Sequence, residues 1–341
     1  MYDYVIVTHI PAFYKVNLYN QLAKKLNIFI IFLAANTNEK RANDFVGLDN
    51  ACFEYKVLYS GNLQERSSSA NIRCLKNIFK SLKYKKVLIS GWDLREFWYL
   101  IFANRKSKNC LALESTINES KTTGLQGIIK KIFLSRISTV FASGTLHRQL
   151  LMKLGYSGDI KITKGVGIIN KPSFNKEAKV YNKKILYVGR LSVIKNLERL
   201  VQVFNRLEDL SLTIIGVGEQ KEYLQKISNK NIIIKPAIEN KKLKEEFISH
   251  DVFILPSLVE PWGLVVEEAL YFGLPVIISQ NCGARDIINN GINGYWIDPE
   301  NVDELTSVIQ KIDSNKYYEL ISGVEKFSIN AKDVQQIEAY L

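Results

Sequence analysis

The sequence predicts an α/β protein of two doubly wound domains, and three observations carry that expectation. The chain has 341 residues, more than a single hydrophobic core usually holds. Short Val-, Ile- and Leu-rich runs alternate with helix-period stretches from end to end, the pattern of βαβ units around parallel sheets. Near the middle, residues 163–179 ("TKGVGIINKPSFNKEAK") break the alternation with a polar stretch rich in Gly and Lys, which reads as a linker. The domains are therefore expected at 1–168 and 169–327.

In the first domain, strands are expected at 2–8, 28–34, 86–90, 110–114 and 138–143, with helices between them, for example at 15–26 and 71–83. The second series runs at 183–189, 210–216, 231–236, 251–257, 274–279 and 294–298. The most apolar run, "IFIIFLAA" at 28–35, has the length of a strand and is too short to cross a bilayer. After residue 315 the tail reads as two helices. The last, about 328–341, is placed to cross back onto the first domain. Two such domains are expected to face each other across a cleft, and open α/β sheets bind ligands at the C-terminal ends of their strands.

Composition is that of a soluble globular chain, 47% hydrophobic and 23% charged. Cys52, Cys74, Cys110 and Cys282 form no CxxC and read as reduced thiols. The opening "MYDYVIVTHIPAF" has neither a basic n-region nor a small-residue cleavage site, so a cytoplasmic protein is expected. Charge is distributed unevenly. Residues 1–170 hold 25 Lys and Arg against 11 Asp and Glu, whereas residues 171–341 hold 21 against 23. The whole excess of positive charge thus lies in the first half, which suits either a polyanionic partner or a solvated basic surface.

Three stretches carry chemistry. In "VEPWGLVVEEALYFGLPVII" (259–278), Pro261 and Gly263 fit the start of a helix running from about Gly263 to Phe272. The free amides of Gly263, Leu264 and Val265 would make an anion site there. Glu260 precedes that helix and Glu268 lies in its second turn, and a carboxylate's two acceptor oxygens suit a vicinal diol. Glu267 reads as a solvated helix acid. In "ILYVGRLSVIKNLERL" (185–200), a strand ends at Gly189, and Arg190 and Lys195 follow on a short loop before a helix near Asn196. An arginine grips phosphate bidentately and a lysine adds a compact charge, so the two suit a diphosphate held without a metal. In "IIGVGEQKEYL" (214–224), Gly216 and Gly218 follow a strand but lack the third glycine of a dinucleotide fingerprint; Gly218 fits a nucleotide-facing turn.

No metal site or cofactor is expected, because His9, His147 and His250 are scattered and no HExxH or DxD pair follows a strand. His9 comes directly after the first strand, and Glu114 ends "CLALE" in a comparable place. Both are candidates for a ligand-facing position.

The combination "GRLSVIK", "GVGEQ", "PSLVEPWGLVVEEALYFGLPVI" and "CGARDIINNGINGYWIDPEN" resembles the family 4 glycosyltransferases of GT-B fold, densely over about 183–300. The resemblance over 1–170 is looser and rests on "YKVNLYNQLAKKL" and "KGVG". It implies two Rossmann-like domains, acceptor-binding first and donor-binding second. It further implies a retaining hexosyltransferase that moves a sugar from a nucleotide-diphosphate donor to an acceptor hydroxyl. Arg190 and Lys195 would then stabilise the leaving diphosphate with the amides near Gly263 and Leu264. Glu260 would hold donor-sugar hydroxyls, Glu268 the ribose diol, and Gly189 and Gly218 would line the donor site. His9 and Glu114 would stand on the acceptor side. Departures from the family pattern are "THIPAFYKV" after the first strand, Glu114 where many members carry histidine, and Asn196 where glycine is frequent.

Bacterial members of that family often act on lipid-linked saccharides in surface polysaccharide assembly, lipopolysaccharide or capsule, at the cytoplasmic face of the inner membrane. The basic helices at 71–86 and 127–137 are accordingly read either as peripheral contacts with anionic lipid or as core-facing helices with solvated lysines. The rival readings are a sugar-nucleotide epimerase or hydrolase of the same fold, and a non-catalytic basic protein that binds nucleic acid.

Overall fold

The computed structural model describes residues 1–39, 41–42, 44–175 and 179–341. The chain divides into two compact units. The first comprises Met1–Glu39, Phe45–Ile168 and Asp333–Leu341; the second comprises Lys40–Asp44 and Ile169–Lys332.

The first unit is built on strands β1 (Tyr2–Thr8), β2 (Ile28–Phe32), β3 (Glu54–Val57), β4 (Tyr84–Ile89), β5 (Asn109–Leu113), β6 (Thr139–Ala142) and β7 (Asp159–Ile162). Helices α1 (Phe13–Ala23), α2 (Ser68–Ser81), α3 (Arg95–Ala103), α4 (Gly124–Ser135) and α5 (Thr145–Lys153) connect them. All neighbours pair in parallel, in the order β3-β2-β1-β4-β5-β6-β7. The central strands are apolar on both faces, as a helix-covered parallel sheet requires. Val5, Val7, Ile31, Val87 and Ile89 join one core, and Ile6, Ile30, Phe32 and Leu88 the other, as period-two alternation dictates.

The sequence reading did not anticipate β3 and β7. Both are edge strands, "EYKV" and "DIKI", with exposed charged residues, so neither carries the continuous apolar run that marks a central strand.

The second unit contains β8 (Lys184–Val188), β9 (Ser211–Ile215), β10 (Ile232–Lys235), β11 (Val252–Leu255), β12 (Val276–Ser279) and β13 (Gly294–Ile297). Its helices are α6 (Leu197–Phe204), α7 (Lys221–Ile227), α8 (Leu243–Ser249), α9 (Leu264–Tyr271), α10 (Val302–Gln310) and α11 (Ser314–Lys326). The strand order is β10-β9-β8-β11-β12-β13, again parallel throughout. Each sheet reverses direction of growth beside its first strand, between β1 and β4 and between β8 and β11.

The last helix, α12 (Ile329–Glu338), begins in the second unit and ends in the first. Its end is anchored by Ile337 and by Tyr340, whose ring stacks on Phe141 with centroids 4.4 Å apart. Parts of the 163–179 stretch are packed. Tyr271 donates to the Pro172 carbonyl at 2.9 Å, and Phe174 lies against Tyr271 and Phe272. Residues 176–178 of that stretch lie outside the described residues. A segment the sequence reading left in the first domain, 40–44, belongs to the second unit, where the Asp44 carboxylate accepts from the amides of Asn240 and Lys241 at 3.1 and 3.2 Å.

Candidate functional site

In the second unit, chemistry-bearing residues gather where β8 and β11 end. Beyond β8, the Gly189 amide donates to Ile215 and the Leu191 amide to Val217, so the loop continues alongside the turn after β9. A side chain on Gly216 would overlap the Gly189 carbonyl, and one on Gly218 would overlap the Leu191 carbonyl. Close backbone approach therefore accounts for both glycines without any ligand. At Gly189 a Cβ would meet the Tyr187 hydroxyl at 2.7 Å, and that hydroxyl donates to the Arg190 carbonyl at 2.8 Å. Arg190 itself is exposed, and among the described residues its guanidinium has no partner.

Lys195 is buried and its ammonium forms an ion pair with the Glu260 carboxylate. The Ser257 hydroxyl approaches the same carboxylate at 3.5 Å. Asn196 explains the departure noted in the sequence: its φ of 60° lies in the left-handed region that glycine commonly serves and asparagine tolerates. Its side-chain amide then donates to the carbonyls of Pro256 and Pro299 at 3.2 and 2.7 Å. The asparagine thus ties the Lys195 loop to β11 and to the "DP" turn, which a glycine could not do.

Glu260 opens the turn that leads into α9. Its amide donates to Asn281, and its carbonyl accepts from Gly283 at 2.9 Å. Gly283 is required because a Cβ there would overlap the Pro261 carbonyl. Ala284 N–H and the Cys282 thiol both donate to the Trp262 carbonyl, at 2.9 and 3.0 Å. The "CGA" segment therefore clamps the 260–263 turn from one side. Gly263 adopts φ 91°, a conformation that strains any other residue, and caps α9. The amides of Gly263, Leu264 and Val265 donate to no group among the described residues, as expected at a helix start.

Glu268 stands one turn after Leu264, about 6 Å along the axis and on the same side. It is 8% exposed, and no hydrogen bond or ion pair reaches its carboxyl among the described residues. Burial, then the neighbouring charges of Glu267 and Asp44, push its pKa up to about 8.

Glu267 overturns the expectation of a solvated helix acid. It is fully buried, accepting from Trp262 Nε1 at 2.6 Å and from Lys332 Nζ at 2.7 Å. The apolar flanks "LVV" and "ALY" bury most of this short helix, and Lys332, 65 residues on, gave no local sign of being its counter-ion.

In the first unit, His9 Nε2 lies 3.0 Å from the Asp93 carboxylate, and its ring meets Phe97 edge-on at 5.1 Å. Burial would raise the Asp93 pKa, but the hydrogen bond and charge of His9 outweigh it and lower the carboxyl below its ordinary value. Glu114 pairs with Lys15 at 2.8 Å, and Lys15 also reaches Thr8 Oγ1 at 3.4 Å. The structure thus gives both acceptor-side candidates partners, Asp93 and Lys15, that the sequence reading missed. Asp93 follows β4 four residues after its end, and Lys15 sits in the first turn of α1.

Among the described residues no three or more His, Cys, Asp or Glu side chains gather as a metal would need, and no helix is long and apolar enough to cross a membrane.

Residues 170–333 match the family model described as glycosyl transferases group 1. An uncharacterized glycosyltransferase of Methanocaldococcus jannaschii is 30% identical over 138 residues, 38% of this chain and 35% of that protein. The chain spans about a third of the length of the curated relatives it matches. Among solved structures, the lipopolysaccharide outer core galactosyltransferase WaaB in its apo form superposes with a TM-score of 0.71 at 18% identity, over 98% of both chains. Anabaena HepE in complex with UDP does so with a TM-score of 0.73 at 13% identity, also over 98% of each. Two parallel-sheet Rossmann-like domains matching these structures establish the GT-B fold. The family match and the relatives support the glycosyltransferase superfamily of that fold.

Proposed function

We propose that, as a protein of glycosyltransferase type, this chain is a retaining hexosyltransferase that takes its sugar from a nucleotide-diphosphate donor. The observation that carries the reading is the buried Lys195–Glu260 pair at the start of α9, with Glu268 one turn beyond, inside the segment matched to group 1 glycosyl transferases. In the reaction, the bond between the donor sugar and its diphosphate breaks and a glycosidic bond to the acceptor oxygen forms. The acceptor proton leaves with the nucleoside diphosphate. Negative charge grows on that leaving group, so fixed donors placed around it lower the barrier.

Lys195 then shares its ammonium between Glu260 and the diphosphate, beside the uncapped amides of Gly263 and Leu264. Arg190, exposed and unpartnered, closes on the same phosphates. Glu260, held by its turn, accepts sugar hydroxyls, and Glu268 accepts the ribose diol. UDP bound to HepE and the activity named for WaaB support a nucleotide sugar and a saccharide acceptor. His9 and Glu114 stand on the acceptor side of this scheme.

A lipid-linked saccharide of lipopolysaccharide or capsule assembly is the acceptor proposed, with the protein peripheral on the cytoplasmic face of the membrane. The charge of the first half supports that placement, and the two basic helices separate cleanly. On α2, Leu75 is buried in the core, with Ile78, Phe79 and Leu82 packed against it. On α4, Leu125, Ile128, Ile129 and Ile132 are all exposed, between 42% and 73%. Spaced i, i+3, i+4 and i+7, they form one outward apolar stripe. Lys131 is exposed on the same helix, and Arg136, just past its end, donates to the Asn104 carbonyl and lies over the exposed Phe102 ring. An apolar stripe bordered by cations fits an anionic lipid surface.

The reading is tested with the purified protein and a panel of UDP-, GDP-, ADP- and dTDP-sugars, using membrane lipid extract as acceptor. Turnover of one donor is expected, with the matching nucleoside diphosphate adding about 2.7 kcal/mol of stability at a hundredfold its Kd. Stabilisation by nucleic acid and by no nucleotide sugar would overturn it.

A further inference from the structure

Glu267 and Glu268 are consecutive on α9 and both are buried, yet their surroundings differ. The first is matched by the Lys332 ammonium at 2.7 Å and by the Trp262 indole at 2.6 Å, and all three groups are almost wholly enclosed. The second has no cation against it among the described residues. Two adjacent buried carboxylates repel, and the cost of ionising one depends on how well its neighbour is balanced.

We propose that Glu267 and Lys332 are positioning residues of the donor site: their ion pair, with Trp262 as third member, holds the 260–263 turn and sets the charge felt by Glu268. The inference rests on the role given above to Glu268 as the diol acceptor. Lys332 is the last residue of the second unit before α12 continues into the first, so the counter-ion arrives from a distant part of the sequence. Trp262 lies between Pro261 and Gly263. Its indole ties the turn to Glu267, while its carbonyl accepts from the Cys282 thiol and the Ala284 amide.

Among the described residues, the charges that raise the Glu268 pKa are Glu267 and, after it, Asp44. The 283–287 turn packed against α9 carries Arg285 and Asp286. Arg285 is engaged with the Gln280 carbonyl and the Trp296 ring. Lys332 meets the Glu267 carboxylate directly, and through it bears on Glu268.

Two substitutions that break the same ion pair must then move Glu268 in opposite directions. In K332M, Glu267 loses the Lys332 charge, so Glu268 ionises at higher pH. In E267Q, the repelling charge is gone, so Glu268 ionises at lower pH. W262F keeps both charges and loosens the turn. A role confined to stability would move both charge variants alike.

The experiment follows the indole N–H resonance of Trp262, assigned with W262F, through a pH titration of the ligand-free full chain. The expected result is a midpoint raised in K332M and lowered in E267Q, each by about one pH unit. The double variant E267Q/K332M, which removes both members of the ion pair together, should return near the wild-type midpoint; it keeps the test open if a single variant fails to fold. Midpoints that move together, or a double variant displaced as far as a single one, would overturn the proposal. Binding of UDP, GDP and ADP to W262F is measured in parallel, with an affinity reduced at every pH as the expected outcome. Failure of all three to bind the wild-type protein would reject the donor-site reading, while the ligand-free titration would still decide the charge balance.

Discussion

The two units make the same move at the same place with different materials. In each, the residue group after the first strand reaches across the switch point to a carboxylate that follows the neighbouring strand. His9 meets Asp93 across β1 and β4, and Lys195 meets Glu260 across β8 and β11. Burial separates them. The Lys195 and Glu260 side chains are 10% and 14% exposed, whereas those of His9 and Asp93 are 22% and 55% exposed. A lysine also carries a permanent charge, while an imidazole does so only when protonated. The second unit thus presents a fixed, desolvated pair beside a helix N-terminus, suited to meet the charge of a diphosphate. The first presents an open pair that water still reaches, suited to a neutral hydroxyl.

The largest effect expected from that contrast is in Lys195→Met. Turnover of the nucleotide sugar should fall by about 10³-fold, the scale of removing a preorganised charge donor. His9→Gln should lower turnover by less than about a hundredfold and leave nucleoside diphosphate affinity unchanged. Steady-state kinetics with a titration of the free nucleotide separate the two. Equal loss of nucleotide affinity in both variants would erase the distinction between the units.

That distinction was only partly legible in the sequence. The second unit announces itself because its proposed site residues sit within a few positions of each other on loops whose glycines and prolines are conspicuous: Gly189 to Lys195, and Glu260 to Glu268. The sheets are legible because central parallel strands are apolar on both faces. Asp93, Lys15 and Lys332 were not legible, since each pairs with a residue far off in sequence and looks locally like any surface charge. Glu267 misled for the same reason. An acid beside another acid on a short helix reads as solvated until the fold delivers a lysine to it. Asn196 stands out in the sequence as a departure, but its purpose needs the Pro256 and Pro299 carbonyls to be brought within reach.

A second way to sharpen the comparison uses the cost of the buried site. The folded pKa of Glu268, about 8, lies above the ordinary glutamate value, so the folded state binds its proton more tightly than the unfolded chain does. The stabilisation that this proton brings is fully present below about pH 4.3 and is lost as pH rises towards 8. Glu268→Gln has no proton to lose. It should melt close to the wild type at pH 4 and be more stable by roughly 5 kcal/mol at pH 9, while losing affinity for the nucleoside diphosphate. Thermal unfolding at the two pH values measures this. In the first unit Asp93 has the opposite sign: its pKa is lowered, so its stabilisation is present above the ordinary aspartate range and lost as pH falls. An Asp93→Asn variant provides the control, with any difference from the wild type present above the ordinary aspartate range and fading as pH falls below it.

The smallest effect concerns the outer surface of the first unit, where α2 and α4 share lysines but not an exposed apolar face. Replacing Ile128 and Ile132 of α4 with Gln removes two half-exposed side chains from any lipid contact, a loss of about 2 kcal/mol if each was otherwise fully buried there. Partition onto vesicles containing phosphatidylglycerol should drop by about thirtyfold. Replacing Lys76 and Lys80 of α2 with Gln should act only through charge, at about 1 kcal/mol for each lysine near the surface. That effect should fade as salt is raised, because it is screened within a Debye length. Sedimentation with vesicles at low and high salt separates the two helices. The α4 variant should stay weakened at both, and turnover of a water-soluble acceptor should be unchanged, since the stripe lies outside the residues placed at either switch point. Retention of full vesicle binding by the α4 variant, or equal binding to purely zwitterionic vesicles by the wild type, would remove the membrane from the account and leave the basic surface as a solvated one.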